Sequence, residues 1–315
     1  MRILLKLALA ALVLAGSSLA ARAAEPDSCK TVRLSDVGWT DITATTAIAS
    51  TLLKGLGYEP DVKVLSVPVT FASLKNKDID VFLGTWLPSM EADVKPYLAD
   101  GTVEDIKTNL TGAKYTLAVP KYLYDEGLKS FADIAKFSDK LSGKIYGIEP
   151  GNDGNRLVLG MIEKNSFGLG KFELVESSEQ GMLSQVSRAT KSQKPIVFLG
   201  WAPHPMNKNF ELAYLAGGDD VFGPNYGGAE VHTAVRKGYA QECPNVGKLI
   251  GNLAFDVDIE SEVMGKILDD GKDGPAAAAE WLKAHPDRVK TWLSGVTTFD
   301  GKDGAAAVAS ALGAS

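Results

Sequence analysis

Short apolar runs alternate along this chain with longer stretches whose apolar residues recur every three or four positions. TVRLSDVG (residues 31–38) reads as a strand running into a loop. TDITATTAIASTLLKGLGYEP, from residue 40, has helical spacing and stops at Gly55–Gly57, where glycine suits a helix C-terminus. VKVLSVPV is the next strand, VTFASLKNKDI a helix, and DVFLGTW a strand followed by a loop. Such a βαβαβ run predicts a mostly parallel sheet with helices on its faces.

A second unit repeats the pattern. GKIYGIEPG is a strand and loop, NDGNRLVLGMIEKNSFGLG a helix ending in glycines, and FELVESS a strand. QGMLSQVSRATKSQ is a helix and PIVFLGW a strand. Between the units, TNLTGAKYTLAVPKYL (108–123) is where the chain crosses over. The turn-rich GGDDVFGPNYGG lies in the return, about 207–230. The remainder, about 245–315, is helical, with Trp281 and Trp292 on apolar stripes as packing residues. The expected architecture is α/β with two lobes, each built on a mostly parallel central sheet flanked by helices. Lobe I takes residues 25–111 and 208–315, and lobe II residues 112–207. Ligands of open α/β sheets bind outside the carboxyl ends of strands, so facing lobes set four loops around one cleft.

The first 24 residues stand apart. Arg2 and Lys6 precede an apolar run from Leu7 to Ala15, and Ala21-Arg22-Ala23 has the small-residue pattern of a cleavage site. This is a secretory signal peptide, cut near Ala23 or Ala24, with a run too short to span a membrane. The expected location is the periplasm. About 290 residues then remain, which suits two lobes better than one core. None of the 39 acidic residues and three of the 33 basic ones fall in the leader, leaving 30 basic against 39 acidic. Such a balance excludes nucleic acid as a partner and mildly favours cations.

Two cysteines, Cys29 and Cys243, form an isolated pair in an oxidising compartment and are expected to bond to each other. The long loop they close contributes roughly 4–5 kcal/mol in the chain-entropy picture. His204, His232 and His285 show no ligand spacing, so no metal site is expected. No cofactor loop appears, and no nucleophile elbow. DDGKDGPAAAAE fails as a calcium loop because Gly271 stands where the third ligand should be. The chain does not read as an enzyme.

What stands out is a repeat. VFLGTWLPSM (81–90) returns as VFLGWAPHPM (197–206), and VGWTD (37–41) also sets a tryptophan after glycine at a strand end. Trp39 precedes Trp86 by 47 residues, and Asn152 precedes Trp201 by 49. Glycine there permits a turn or close backbone approach to a ligand. A single loop tryptophan is more often a packing residue. Three at matching strand ends point to an aromatic cage for a quaternary ammonium group, which ring faces and a formal charge must hold. Asp41 follows Trp39 at a helix start, either as an N-cap or as the balancing charge. Asn152 has the equivalent place and can meet a hydroxyl as donor or acceptor.

Together VGWTD, VFLGTWLPSM, GAKYTLAVP, EPGNDGN and VFLGWAPHPM resemble the periplasmic substrate-binding proteins of quaternary-amine ABC transporters, their choline-binding branch most closely. The resemblance covers residues 28–310. It implies two lobes closing over choline, delivery to membrane permease subunits, a monomer and no cofactor. It places a cage at Trp39, Trp86, Tyr115 and Trp201, with Asp41 and Asn152 as polar ligand positions. The residues alone leave Tyr122 and Tyr124 as plausible as Tyr115. Glycine betaine carries a carboxylate, and the site segments offer it only Lys114, Arg156 and His204 as basic partners. Choline is therefore the expected ligand, with glycine betaine or carnitine as the alternative and an exported choline-ester hydrolase as a remote one. The crossings near 110–113 and 205–212 are the expected hinges.

Overall fold

The computed structural model describes residues 25–313, so the signal peptide expected over 1–24 lies outside the described residues. Strand β1 (Thr31–Asp36) leads through α1 (Thr40–Gly55), β2 (Glu59–Val64) and α2 (Val67–Asn76) to β3 (Val81–Leu87) and α3 (Glu91–Ala99). A long strand, β4 (Val103–Pro120), carries the chain onward. The second unit holds β5 (Lys144–Tyr146), α4 (Asp153–Glu163), β6 (Glu173–Val175), α5 (Glu179–Lys191) and β7 (Phe198–Ala202). Strands β8 (Leu212–Tyr214) and β9 (Gly228–Arg236) precede five helices: α6 (Pro244–Asn252), α7 (Val257–Leu268), α8 (Gly274–Ala284), α9 (Pro286–Trp292) and α10 (Gly304–Ala311).

The strands form one sheet in the order β2-β1-β3-β9-β4-β7-β5-β6, with β8 beside β4. At one end β1 pairs in parallel with β2 and β3. At the other, β5 pairs in parallel with β6 and β7. Each lobe thus has the parallel core that βαβ crossovers require. Antiparallel β4 and β9 join the two. Strand β4 pairs with β9 from Val103 to Lys114 and with β7 from Lys114 to Ala118, and its register breaks at three places between Asp105 and Ala113. Bulges at a crossing bend a strand. The crossing expected near 110–113 is therefore the middle of an 18-residue strand and not a loop.

Local differences have local causes. The strand expected over 62–69 ends at Val64, because Pro68 sits in the first turn of α2, where its fixed φ suits a helix start. The helix expected over 152–170 ends at Glu163 and gives way to a 3₁₀ turn at Ser166–Gly168. In the repeated motif the glycines serve packing. A Cβ on Gly84 would lie 2.6 Å from Ile42 Cδ1 of α1, and one on Gly200 2.8 Å from Ala118 Cβ of β4. Trp86 and Trp201 consequently lie inside the ends of β3 and β7, not in the loops after them.

The C-terminal helices cover α1. Trp281 and Trp292 are buried there, with rings 5.9 Å apart, and Trp281 stacks on His285. Both are packing residues. No helix among the described residues is long and apolar enough to cross a membrane. Cys29 and Cys243 are bonded, across 214 positions of sequence. Closing so large a loop removes entropy from the unfolded chain. Replacing both cysteines by serine is expected to lower the unfolding free energy by about 5 kcal/mol in a urea titration. An unchanged midpoint would mean the native contacts already hold these ends together.

Candidate functional site

Asp36, the last residue of β1, ties down the turn into α1. Its Oδ1 accepts the Gly38 N–H at 2.7 Å and its Oδ2 the Thr43 hydroxyl at 2.8 Å. This fixes where α1 begins, and therefore where Trp39 and Asp41 stand. Trp39 occupies the N-cap position, and its indole N–H donates to Glu149 Oε1 at 2.8 Å. Asp41 lies in the first helical turn, where the helix dipole favours negative charge. It does not act as the cap. Its Oδ2 accepts the Trp86 indole N–H at 3.1 Å, while Oδ1 has no hydrogen-bond partner.

The second lobe mirrors this arrangement at the start of α4. Here Asn152 is the N-cap, its Oδ1 accepting the Asn155 N–H at 3.1 Å. The same oxygen accepts the Tyr115 hydroxyl at 2.9 Å, and the Asn152 amide N–H donates to Asp153 Oδ1 at 3.2 Å. Tyr115 sits on β4 directly opposite Trp201 on β7. Its ring meets Trp201 at 6.1 Å and 90°, and Trp86 at 6.1 Å and 64°. These are edge-on contacts, which suit aromatic quadrupoles.

All six residues singled out in the sequence are thereby brought around one small cavity. Trp39, Trp86, Tyr115 and Trp201 line it with Asp41 and Asn152, and Ile148 and Asp153 complete it. Every one of the six is at least 94% buried. Among the described residues, no positively charged side chain lines the cavity.

The basic residues that the sequence offers to a carboxylate are engaged elsewhere. Arg156 donates to the Ser89 carbonyl and pairs with Asp93. Lys114 lies over the Tyr226 ring, and His204 bonds Glu179.

Sequence reasoning missed Asp153, Glu149 and Glu179. The first two belong to EPGNDGN, where two acids flanking a glycine turn were a usable signal. Glu179 had none, because only the folding of the two lobes brings it near α1. Tyr122 donates to the Lys194 carbonyl and Tyr124 is half-buried beside Lys129, so neither reaches the cavity.

Burial raises three carboxyls here. Asp41 is pushed up to about 8, with Glu179 adding to the effect of desolvation. Glu149 rises to about 7 and Asp153 to about 6, both chiefly by burial. Opening the cleft to water returns each toward the ordinary carboxylate range. Closure of the ligand-free protein therefore takes up protons. It gains support in acid and loses it as pH rises through these values. Small-angle scattering of the ligand-free protein is expected to give a smaller radius of gyration at about pH 5 than at about pH 9. An equal or larger radius in acid would refute this coupling.

Residues 30–284 match the family described as the substrate binding domain of ABC-type glycine betaine transport systems. A solved ABC-transporter choline binding protein in complex with choline is 67% identical, with a TM-score of 0.90 over 91% of this chain and 100% of that one. Lactococcal OpuAC, closed on glycine betaine, is 30% identical, with a TM-score of 0.74 over 84% of this chain and 99% of that one. The glycine betaine/carnitine transport binding protein GbuC of Listeria monocytogenes is 38% identical over 126 residues, 40% of each chain.

Proposed function

The chain belongs to the family of substrate-binding domains of ABC-type glycine betaine transport systems, and from that premise we propose that it is an extracytoplasmic choline receptor. As a substrate-binding domain it serves a membrane permease and not a reaction. In this reading it is exported to the periplasm as a monomer and hands choline to the permease.

The observation that carries the proposal is the cavity itself: four aromatic walls, an unpartnered Asp41 oxygen, and no cation among the lining residues. A trimethylammonium group cannot donate a strong hydrogen bond. Ring faces attract it by cation–π contact, worth up to about 2 kcal/mol each when desolvated. Asp41 balances its charge. Asn152, already oriented by α4 and Tyr115, meets the hydroxyl.

Glycine betaine and carnitine are the alternative, supported by the relatives that carry them. Their carboxylate would enter beside Asp41 and Asp153 with no cation lining the cavity to receive it. A choline-ester hydrolase is remoter still, since no serine, cysteine or histidine lines the cavity.

The lobes we propose are 25–111 with 228–315, and 112–227, which moves the later boundary from the 207/208 expected. The segment 212–222 rides on the second lobe, through β8 against β4 and the Leu215 N–H to the Leu117 carbonyl. The second hinge then falls near Gly228, where β9 begins.

Calorimetric titrations with choline and with glycine betaine, run side by side, test the proposal. Tight one-to-one choline binding with much weaker betaine binding is expected. A betaine complex tighter than the choline complex would overturn the choice of ligand. Trp39→Ala, Trp86→Ala and Trp201→Ala should each weaken choline binding by roughly 30-fold with the fold retained by circular dichroism. Affinity retained in all three would remove the cage.

A further inference from the structure

Helix α1 begins without a cap of its own. Trp39 holds the N-cap position but offers no side-chain oxygen to the first-turn N–H groups. The first four N–H groups of a helix need partners from outside it. The Thr40 N–H finds one across the cleft, donating to Glu179 Oε2 at 2.8 Å. The Thr40 hydroxyl donates to Glu179 Oε1 at 2.5 Å. Glu179 opens α5, in the other lobe.

We infer that Glu179 is a closure residue, capping α1 from the opposite lobe so that the helix carrying Trp39 and Asp41 is completed only when the cleft shuts. The inference rests on the receptor reading above.

Two further contacts connect this clasp to the cage. His204 Nε2 lies 3.1 Å from Glu179 Oε1, and His204 Nδ1 accepts the Met206 N–H at 2.9 Å. Since Nδ1 is the acceptor, the ring proton sits on Nε2, and that N–H donates to Glu179. The His204 ring packs edge-on against Trp201 at 4.9 Å. A continuous path therefore runs from the cage wall through His204 and Glu179 to Thr40.

Glu179 is 1% exposed, with both oxygens engaged. Hydrogen bonds to a buried carboxylate are strong because the charge assists them. With the cleft open these groups face water, so the clasp stabilises only the closed form. Its loss should act on the escape of ligand and leave the cage itself intact.

The test is stopped-flow tryptophan fluorescence with choline on the full chain. Glu179→Gln and Thr40→Val should each speed dissociation roughly tenfold while association stays within about twofold. Thr40→Ser keeps the hydroxyl and should restore the parent rate. The Thr40→Val/Glu179→Gln double variant should fall short of the product of the single effects, because one clasp is being removed twice. At about pH 9, where the ligand-free cleft is expected to stand open, the thermal midpoint of the ligand-free protein should not move, which separates closure from a merely structural role.

Dissociation within about twofold of the parent in both single variants would overturn the inference while leaving the receptor reading intact. Ligand-free midpoints lowered in step with binding would overturn it too. If the parent binds glycine betaine in place of choline, the same rates with betaine decide it. A parent that binds neither overturns the inference together with the receptor reading.

Discussion

A carboxylate removed from water into an aromatic box must find a cation or keep a proton. That constraint organises the centre of this molecule. Asp41 and Asp153 line the cavity and Glu149 accepts the indole N–H of Trp39, with no basic side chain among the cavity walls of the described residues, and burial raises all three. Two helix N-termini add positive potential, α1 beneath Asp41 and α4 beneath Asp153, and Arg156 acts on Asp153 from outside the cavity walls. The basic residues nearest the cleft are turned outward or onto other acids. The permanent cation proposed as the ligand would bring the charge that these walls withhold.

The duplicated architecture explains how one cavity draws on distant stretches of chain. Each lobe contributes a strand ending in tryptophan and a helix start bearing a polar side chain. The two helix starts are not equivalent in use. Asn152 caps its helix and still meets Tyr115 with the same oxygen. Asp41 leaves capping to others and keeps one oxygen free. Tyr115 comes from neither unit but from β4, the strand common to both lobes, and so stands where the two halves of the cavity meet.

Much of this was legible in the sequence, because periodicity reports local structure well. The alternating runs marked β1, β3, β5 and β7 and their helices, and the repeated motif marked Trp86 and Trp201. The central strands were harder. Gly112 and the polar residues of β4 hide its continuity, and β9 lies behind a turn-rich segment whose pairing is wholly long-range. The choice of Tyr115 over Tyr122 and Tyr124 depends on the β4–β7 register, which no local pattern encodes. The rival roles of Asp41 were likewise undecidable until Trp39 was found in the capping position. Glu179 depends on one lobe meeting the other.

The bond between Cys29 and Cys243 has a consequence of a different kind. Everything from β1 to β9 lies between those two residues, including both crossings and every wall of the cavity. Topologically the receptor is a closed ring with a helical tail beyond Cys243. A single proteolytic cut in any exposed loop of that ring releases no fragment while the bond is oxidised. The severed ends stay tethered, and their return is an intramolecular event that does not depend on protein concentration.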